Sequence, residues 1–384
     1  MVLPEGNIQD STGQSIEVVF ITTIQIPVMK KSSCFLLLLI TLLLLEVQPL
    51  LAQVPPSASP GKSGGPGKNR AVDPDSPVVS FGSTPRQALL VGEKAAGRLV
   101  IIDPETLEVV ARIPAGGNLH EIATDGRYVY IGSNLPGITV VDVVAQKRIE
   151  SIDISAFGDR HAITFAGSHL YLGHENNRLI TRYDPATKEF DEVIGLPGGS
   201  HMLIVTPDEQ RIFTASSNGS VISIVDRITN ERGQKNFAFT TFPGDTRMEG
   251  MALSPDGNEF WALHMNAKEI SIINVPEKKL VSTISFEGGL NNRIKFTKDG
   301  KYVLMNELQG NELRVWDVAT RKEVKRIDVG AGGEGIFIDP VRPRAYYAVS
   351  AGNKLVVIDT NTMTVIKEIT DLQNPDGMAW FIAK

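Results

Sequence analysis

Cysteine is almost absent from this 384-residue chain, which contains a single thiol, Cys34. Cys34 lies ahead of an apolar run that we interpret below as part of an export signal. The exported chain is therefore predicted to hold no cysteine at all. A disulfide framework, a thiolate metal site and a cysteine nucleophile are then excluded.

Excess basic charge and helical periodicity are also missing. The formal net charge is −6 and the pI is about 5.6, so nucleic acid is not expected as a partner. No apolar pattern of period 3.6 extends over a useful length. The 35 glycines and 22 prolines instead provide the many turns that an all-β fold requires.

The first 85 residues read as segments outside the folded domain. Lys30 and Lys31 precede the apolar run from Phe35 to Leu45, which is short for a membrane span and typical of a signal-peptide core. Cleavage after Ala52 would leave no transmembrane segment and a periplasmic or extracellular protein, whereas an uncleaved anchor is the alternative. The predicted organisation is a misassigned extension (1–28), a signal peptide (29–52), a disordered linker rich in Pro, Gly and Ser (53–85) and a folded domain (86–384).

One short phrase recurs along the folded domain: an apolar strand, then Asp or Asn, then a turn. The polar positions are Asp103, Asp142, Asp184, Asp226, Asn274, Asp317 and Asp359. Their spacing is close to 42 residues, with one longer interval after Asp226, and such a period indicates stacked supersecondary units. Asp or Asn at this point can accept backbone N–H bonds from the residues that follow, which forms the turn.

Each unit is predicted to contain four antiparallel strands, named a to d, as in a β-propeller blade. The first unit, from Ala88 to Ile113, has strands b, c and d but lacks a. The last segment, Gly377 to Ile382, is a lone strand a. Together they complete one blade, so the sequence predicts a ring of seven blades that is closed by its two ends and has no open sheet edge to cap.

A family resemblance follows from these phrases. Met251-Ala-Leu-Ser-Pro-Asp-Gly257, followed by aromatic-Val-apolar and apolar-Ser-apolar-Ile-Asp segments, resembles the YVTN-repeat propellers of secreted and surface-layer-like proteins. The resemblance covers roughly residues 86–384 and implies the seven-bladed architecture. The literal Tyr-Val-Thr-Asn is absent, with Tyr128-Val-Tyr-Ile and Tyr302-Val-Leu-Met in its place, and a shared fold leaves the activity open.

Polar residues open every strand a, at the predicted mouth of the central channel. They are His120, His161, His201, Glu249, Asn292, Glu334 and Asp376. The b–c loops add His174 and His264 to the same face, and Arg160, Arg247 and Arg293 lie beside the ring, where they could hold an anionic group. This loop-rich face is the expected binding surface, because variable loops on a rigid scaffold usually carry function.

Three functions remain open for this ring. The first is an exported, monomeric binding module that presents the channel mouth to a protein partner or a small polar ligand. The second is a metal-dependent, lactonase-like hydrolase or lyase, with His161 and Glu249 as catalytic candidates and a divalent metal ion held by His120, His161, His201 and Glu249. The third is an auxiliary subunit of a periplasmic redox pathway, which no residue pattern supports.

Overall fold

The computed structural model describes residues 7–9, 15–17, 73–133 and 135–383. The predicted signal peptide and the linker up to residue 72 lie outside the described residues. Within the predicted N-terminal extension, Asn7–Gln9 and Ser15–Glu17 pair as two short antiparallel strands. In the part of the chain that the structure describes, the one helical segment is a 3₁₀ turn, Ser350–Gly352. No helix among these residues is long and apolar enough to span a membrane.

The predicted all-β ring of seven four-stranded antiparallel blades is confirmed. Strand a is innermost in every blade, and strand d is outermost in blades 1 to 6. Blades 1 to 3 comprise Ile122–Thr124, Tyr128–Gly132, Ile138–Asp142 and Lys147–Ile152; Ala162–Ala166, His169–His174, Leu179–Asp184 and Glu189–Gly195; and Met202–Val205, Arg211–Ala215, Val221–Thr229 and Lys235–Pro243. Blades 4 to 6 comprise Gly250–Leu253, Glu259–His264, Glu269–Asn274 and Lys279–Ser285; Ile294–Phe296, Tyr302–Met305, Glu312–Asp317 and Lys322–Asp328; and Ile336–Ile338, Arg344–Val349, Lys354–Asp359 and Thr364–Ile369.

Blade 7 closes the ring as predicted. The C-terminal strand Pro375–Ile382 pairs with Gln87–Glu93, with Ala379 opposite Leu90. Arg98–Asp103 and Glu108–Pro114 follow as strands c and d. A single sheet thus joins the two ends of the domain, and neither the first nor the last blade is left with an open inner edge.

A fifth strand, Val79–Ser80, pairs with the outer edge of blade 7, opposite Ala111 and Arg112. The hydroxyl of Thr84 donates to the carbonyl of Val143 in blade 1, at 2.7 Å. Backbone pairing and this contact hold a segment that the sequence places in the disordered linker. Part of the predicted linker, Val79–Ser80, therefore belongs to the sheet of blade 7.

The hydrophobic core is divided among the interfaces between blades. Seven buried clusters of apolar side chains occur, one between each pair of neighbouring blades. Successive side chains of a strand point to opposite faces of its sheet, so each strand contributes apolar side chains to the interfaces with both neighbouring blades. In strand b of blade 7, Leu90 packs towards blade 1 and Leu89 towards blade 6. A closed ring of seven blades has seven such interfaces, whereas an open array would have six.

The recurring Asp or Asn makes the predicted turn in six blades. Its side-chain oxygen accepts a backbone N–H two or three residues on, as from Glu105 to Asp103 at 2.7 Å and from Thr320 to Asp317 at 2.8 Å. Blade 3 differs, because Asp226 lies within a nine-residue strand and forms ion pairs with Arg211 and Lys278. The extended hairpin of blade 3 accounts for the longer sequence interval after Asp226.

Candidate functional site: the channel mouth

The wall of the central channel consists of strands a, and it encloses a cavity of about 290 Å³. At the level of the mouth the cavity is lined by Glu121, Arg293 and Asp376. Lys295 projects from the middle of strand a of blade 5, and deeper in the channel aromatic side chains such as Phe337 line the wall. The cavity therefore combines charged groups of both signs with an apolar floor, which is typical of small-molecule sites.

The predicted ring of polar residues lies at this mouth, because each member lies within two residues of the start of a strand a. Two glycines determine how closely neighbouring members approach. A Cβ atom on Gly377 would lie 1.7 Å from the carbonyl oxygen of His120, and one on Gly335 would lie 2.1 Å from that of Asp376. The backbones of blades 6, 7 and 1 consequently pack tighter here than any side chain would permit.

This close packing brings together His120, Glu334 and Asp376, whose ligand atoms all lie within 4.8 Å of one another. His120 Nδ1 is 2.9 Å from Asp376 Oδ2. Lys94, from the b–c loop of blade 7, lies 2.6 Å from Glu334 Oε2 and 3.5 Å from Asp376 Oδ2. Burial and the charge of Asp376 raise the pKa of Glu334, whereas burial of Asp376 is outweighed by His120 and Lys94, which bring its pKa to about 2.

A second cluster spans blades 2 to 4. The rings of His161 and His201 stack with centroids 3.7 Å apart, and His161 Nδ1 lies 3.0 Å from the backbone carbonyl of His201. His201 is held between two carboxylates, 3.1 Å from Glu175 and 3.8 Å from Glu249. Arg247 donates to Glu249 at 2.8 Å. This arrangement orients the two imidazoles by contacts on both sides.

The pKa values of this second cluster follow from its surroundings. Burial, and then the neighbouring His201, lower the pKa of His161 to about 4, so its ring is neutral near pH 7. Burial opposes ionisation of Glu249, but His201 and Arg247 outweigh it and lower the pKa of Glu249 to about 2. A neutral imidazole beside an ionised carboxylate can accept a hydrogen bond or a cation.

Blade 5 contributes two amides and a buried arginine to the ring of polar side chains. Asn292 donates to Glu249 at 3.1 Å and accepts from Asn306 at 2.6 Å. Arg293, 7% exposed, crosses the channel to donate to Glu121 of blade 1 at 2.9 Å. This ion pair joins blades on opposite sides of the ring. The guanidinium of Arg293, which the sequence analysis proposed as a binding group for an anion, is therefore already paired with a carboxylate.

Three of the predicted site residues are engaged elsewhere. His174 is fully buried and contacts the carbonyl of Asp159 and the hydroxyl of Thr181 through its two ring nitrogens. His264 contacts the hydroxyl of Ser271 at 2.8 Å. Arg160 donates to the carbonyl of Leu135 at 2.9 Å. Burial lowers the pKa of both histidines, and the structure places them in the blades rather than in the ring.

The predicted metal ligands are neighbours in sequence around the ring: the ring centroid of His120 lies 5.5 Å from that of His161, and His161 stacks on His201 beside Glu249. Among the described residues, however, the group whose ligand atoms all lie within 4.8 Å of one another is His120, Glu334 and Asp376. Sequence reasoning missed the parts played by Lys94, Glu121 and Lys295. For the last two a signal exists: each is a charged residue beside or within a short strand a that is otherwise apolar.

Acidification is expected to destabilise the protein through the second cluster. The unfolded chain protonates His161 near its ordinary pKa of 6.5 while the folded chain does so only near 4, so the free energy of unfolding should fall as the pH drops between these values. Glu249 adds a further loss below pH 4.5, since its folded pKa is about 2. His161→Gln should remove the loss of unfolding free energy between pH 6.5 and 4. That loss is no more than about 3 kcal/mol, and it is smaller where water screens the charge. Urea unfolding at pH 7, 5.5 and 4 measures it, and a His161→Gln variant with the wild-type pH slope would contradict the assignment.

The same fold occurs in solved structures whose described roles differ. A protein of unknown function from Desulfotomaculum acetoxidans is 15% identical, with a TM-score of 0.62 over 77% of this chain and 99% of that one. A Bacteroides fragilis protein provisionally named a 6-phosphogluconolactonase is also 15% identical, with a TM-score of 0.63 over 77% and 97%. The dihydro-heme d1 dehydrogenase NirN is 16% identical, with a TM-score of 0.54 over 77% and 68%.

Likeness at such low identity shows the fold alone. No known family model matches the sequence, and no curated protein sequence matches it either. The seven-bladed architecture is therefore established, while the resemblance to YVTN-repeat propellers stays a prediction.

Proposed function

We propose that this protein is an exported binding module that takes a small polar ligand carrying an anionic group into the mouth of its channel. The observation that supports this most directly is the cavity of about 290 Å³ lined by Lys295, Glu121, Arg293 and Asp376. Its size suits a small molecule, and a concave site of this size does not suit a folded protein partner.

Lys295 is the residue that favours an anionic group on the ligand. Arg293 is already paired with Glu121, whereas Lys295 forms no ion pair within 4 Å and no hydrogen bond with any described residue. Burial in the channel lowers the pKa of Lys295, and the carboxylate of Glu121 opposes this shift only in part. A carboxylate or phosphate in the cavity would supply a close partner through a charge-assisted hydrogen bond.

The test is a binding screen with a matched pair of lysine variants. Small mono- and dicarboxylates, sugar acids, amino acids and neutral monosaccharides are screened by ligand-observed NMR, and any binder is quantified by calorimetry in the presence of a chelator. Lys295→Met should weaken a carboxylate binder by about tenfold or more. Lys298→Met, three residues on and exposed in the turn that follows the strand Ile294–Phe296, should leave binding unchanged. Equal loss in both variants, or no binder in the panel, would refute the proposal.

A metal-assisted hydrolase or lyase is the second candidate. The neutral imidazole of His161, stacked on His201 beside ionised Glu249, favours it, because such a set can accept a proton or assist a bound water. Glu249→Gln should then abolish turnover of lactones by the metal-loaded protein while leaving Lys295-dependent binding in place. Among the described residues, nothing favours the redox-subunit alternative.

A further inference from the structure

We propose that His120, Glu334 and Asp376 form a site for one divalent first-row metal ion, of the manganese or zinc type, at the junction of blades 6, 7 and 1. This site shares Asp376 with the lining of the cavity that contains Lys295, and its test uses the metal alone. The ligand set is one imidazole and two carboxylates, a combination that suits both ions. It differs from the predicted set of His120, His161, His201 and Glu249, because Glu334 and Asp376 bring ligand atoms within 4.8 Å of one another and of His120.

Two orphaned atoms point to an ion at this junction. Asp376 is 1% exposed, yet its Oδ2 atom has no hydrogen-bond partner among the described residues, and neither does His120 Nδ1. The two atoms lie 2.9 Å apart as an ion pair that is poorly aligned for a hydrogen bond, and the only other charged group near Asp376 Oδ2 among the described ion pairs is Lys94 Nζ at 3.5 Å. Buried polar atoms normally find partners, so the pair requires a different explanation.

The spacing of these atoms fits shared coordination. Two adjacent ligands at about 2.1 Å from an octahedral ion lie roughly 3 Å from each other. His120 Nδ1 and Asp376 Oδ2 meet that spacing, and a Glu334 oxygen lies within 4.8 Å of both. The glycines at 335 and 377 fix the backbones that carry them.

Lys94 acts as a built-in competitor for this ion. Its ammonium group lies 2.6 Å from Glu334 and 3.5 Å from Asp376, where it supplies positive charge to the two carboxylates. The side chain comes from a loop and is 19% exposed, so it can swing outward when a divalent ion enters. Removing the Lys94 charge should therefore strengthen metal binding, although it removes two ion pairs.

The experiment measures metal binding to the purified, chelator-treated protein. Titration with MnCl₂ and with ZnCl₂ in a calorimeter should show one site for at least one of the two ions. Asp376→Asn, and independently Glu334→Gln, should weaken binding by about a hundredfold, and Lys94→Gln should strengthen it by about tenfold. Glu175→Gln is the matched control, since Glu175 lies at the same mouth but contacts His201, and it should bind the metal as the wild type does.

Thermal melting separates a metal site from a merely structural ion-pair cluster. In either case Lys94→Gln should lower the melting temperature without metal, because two carboxylates lose their cation. Only a metal site allows MnCl₂ or ZnCl₂ to restore that melting temperature in Lys94→Gln and to fail in the Lys94→Gln, Asp376→Asn double variant. Absence of saturable binding by both wild type and Lys94→Gln would overturn the proposal, as would greater weakening by Glu175→Gln than by Asp376→Asn.

Discussion

Truncation after Asn374 is expected to abolish cooperative folding of the propeller. The ten missing residues include strand a of blade 7, which pairs with Gln87–Glu93 and supplies side chains to two of the seven core clusters. Without it, blade 7 keeps strands b, c and d and the short edge strand, and it exposes an inner edge and two apolar interfaces to water. Far-UV circular dichroism during urea unfolding should show a broad or absent transition.

Two matched comparisons show whether the effect is specific to ring closure. Removing residues 1–82 deletes the two-residue edge strand Val79–Ser80 and should leave the unfolding transition cooperative. Phe381→Ala empties a fully buried position and should cost about 3–5 kcal/mol. Ile382→Ala changes the next residue, which is 47% exposed, and should alter stability by about 0.5 kcal/mol or less. A truncated chain that unfolds at the wild-type midpoint would show that closure contributes nothing.

Gly377→Ala is the single substitution expected to disturb both the fold and the site. Its Cβ would lie 1.7 Å from the carbonyl oxygen of His120, which is part of the backbone and cannot rotate away. Strands a of blades 7 and 1 must therefore move apart, at a cost of about 2 kcal/mol or more. The same movement should separate His120 from Asp376 and weaken binding of Mn²⁺ or Zn²⁺ at their junction.

The matched control for this substitution is Gly82→Ala. No atom lies within 4 Å of a Cβ built on Gly82, so its free energy of unfolding should change by about 0.5 kcal/mol or less. Urea unfolding of the two variants beside the wild type measures the difference. A Gly377→Ala protein as stable as Gly82→Ala would mean that the backbones at the mouth can separate at no cost.

The fold was predictable because its information is local and repeated. A strand that ends in Asp or Asn, such as the segment ending at Asp317, recurs in each unit. Each copy therefore indicates the same four-stranded sheet. The missing strand a at one end and the extra strand a at the other predicted the closure that pairs Ala379 with Leu90. Val79–Ser80, which the sequence analysis assigned to the linker, pairs with a strand about 30 residues farther along the chain, and nothing in its own sequence indicates that pairing.

The membership of the polar ring was also predictable, because position within the repeat places its seven members at the start of each strand a. Their partners were not. The sequence placed His174 and His264 on the same loop-rich face as the ring. In the structure, hydrogen bonds with the hydroxyl groups of Thr181 and Ser271 hold them inside their own blades. Which ring members share a cluster depends on rotamers and on the distances between blades, which no repeat pattern encodes.

The sequence by itself determined the seven-bladed ring, its point of closure and the face on which polar side chains collect, because strand period and turn chemistry act within each repeat. Tertiary structure alone decided that residue 120 meets residues 334 and 376, and that Arg293 spans the channel to Glu121. Those contacts join positions more than 150 residues apart, and they exist because a closed ring brings its ends and its opposite walls together. The chemistry of the mouth is therefore a property of the closed ring, not of any one repeat.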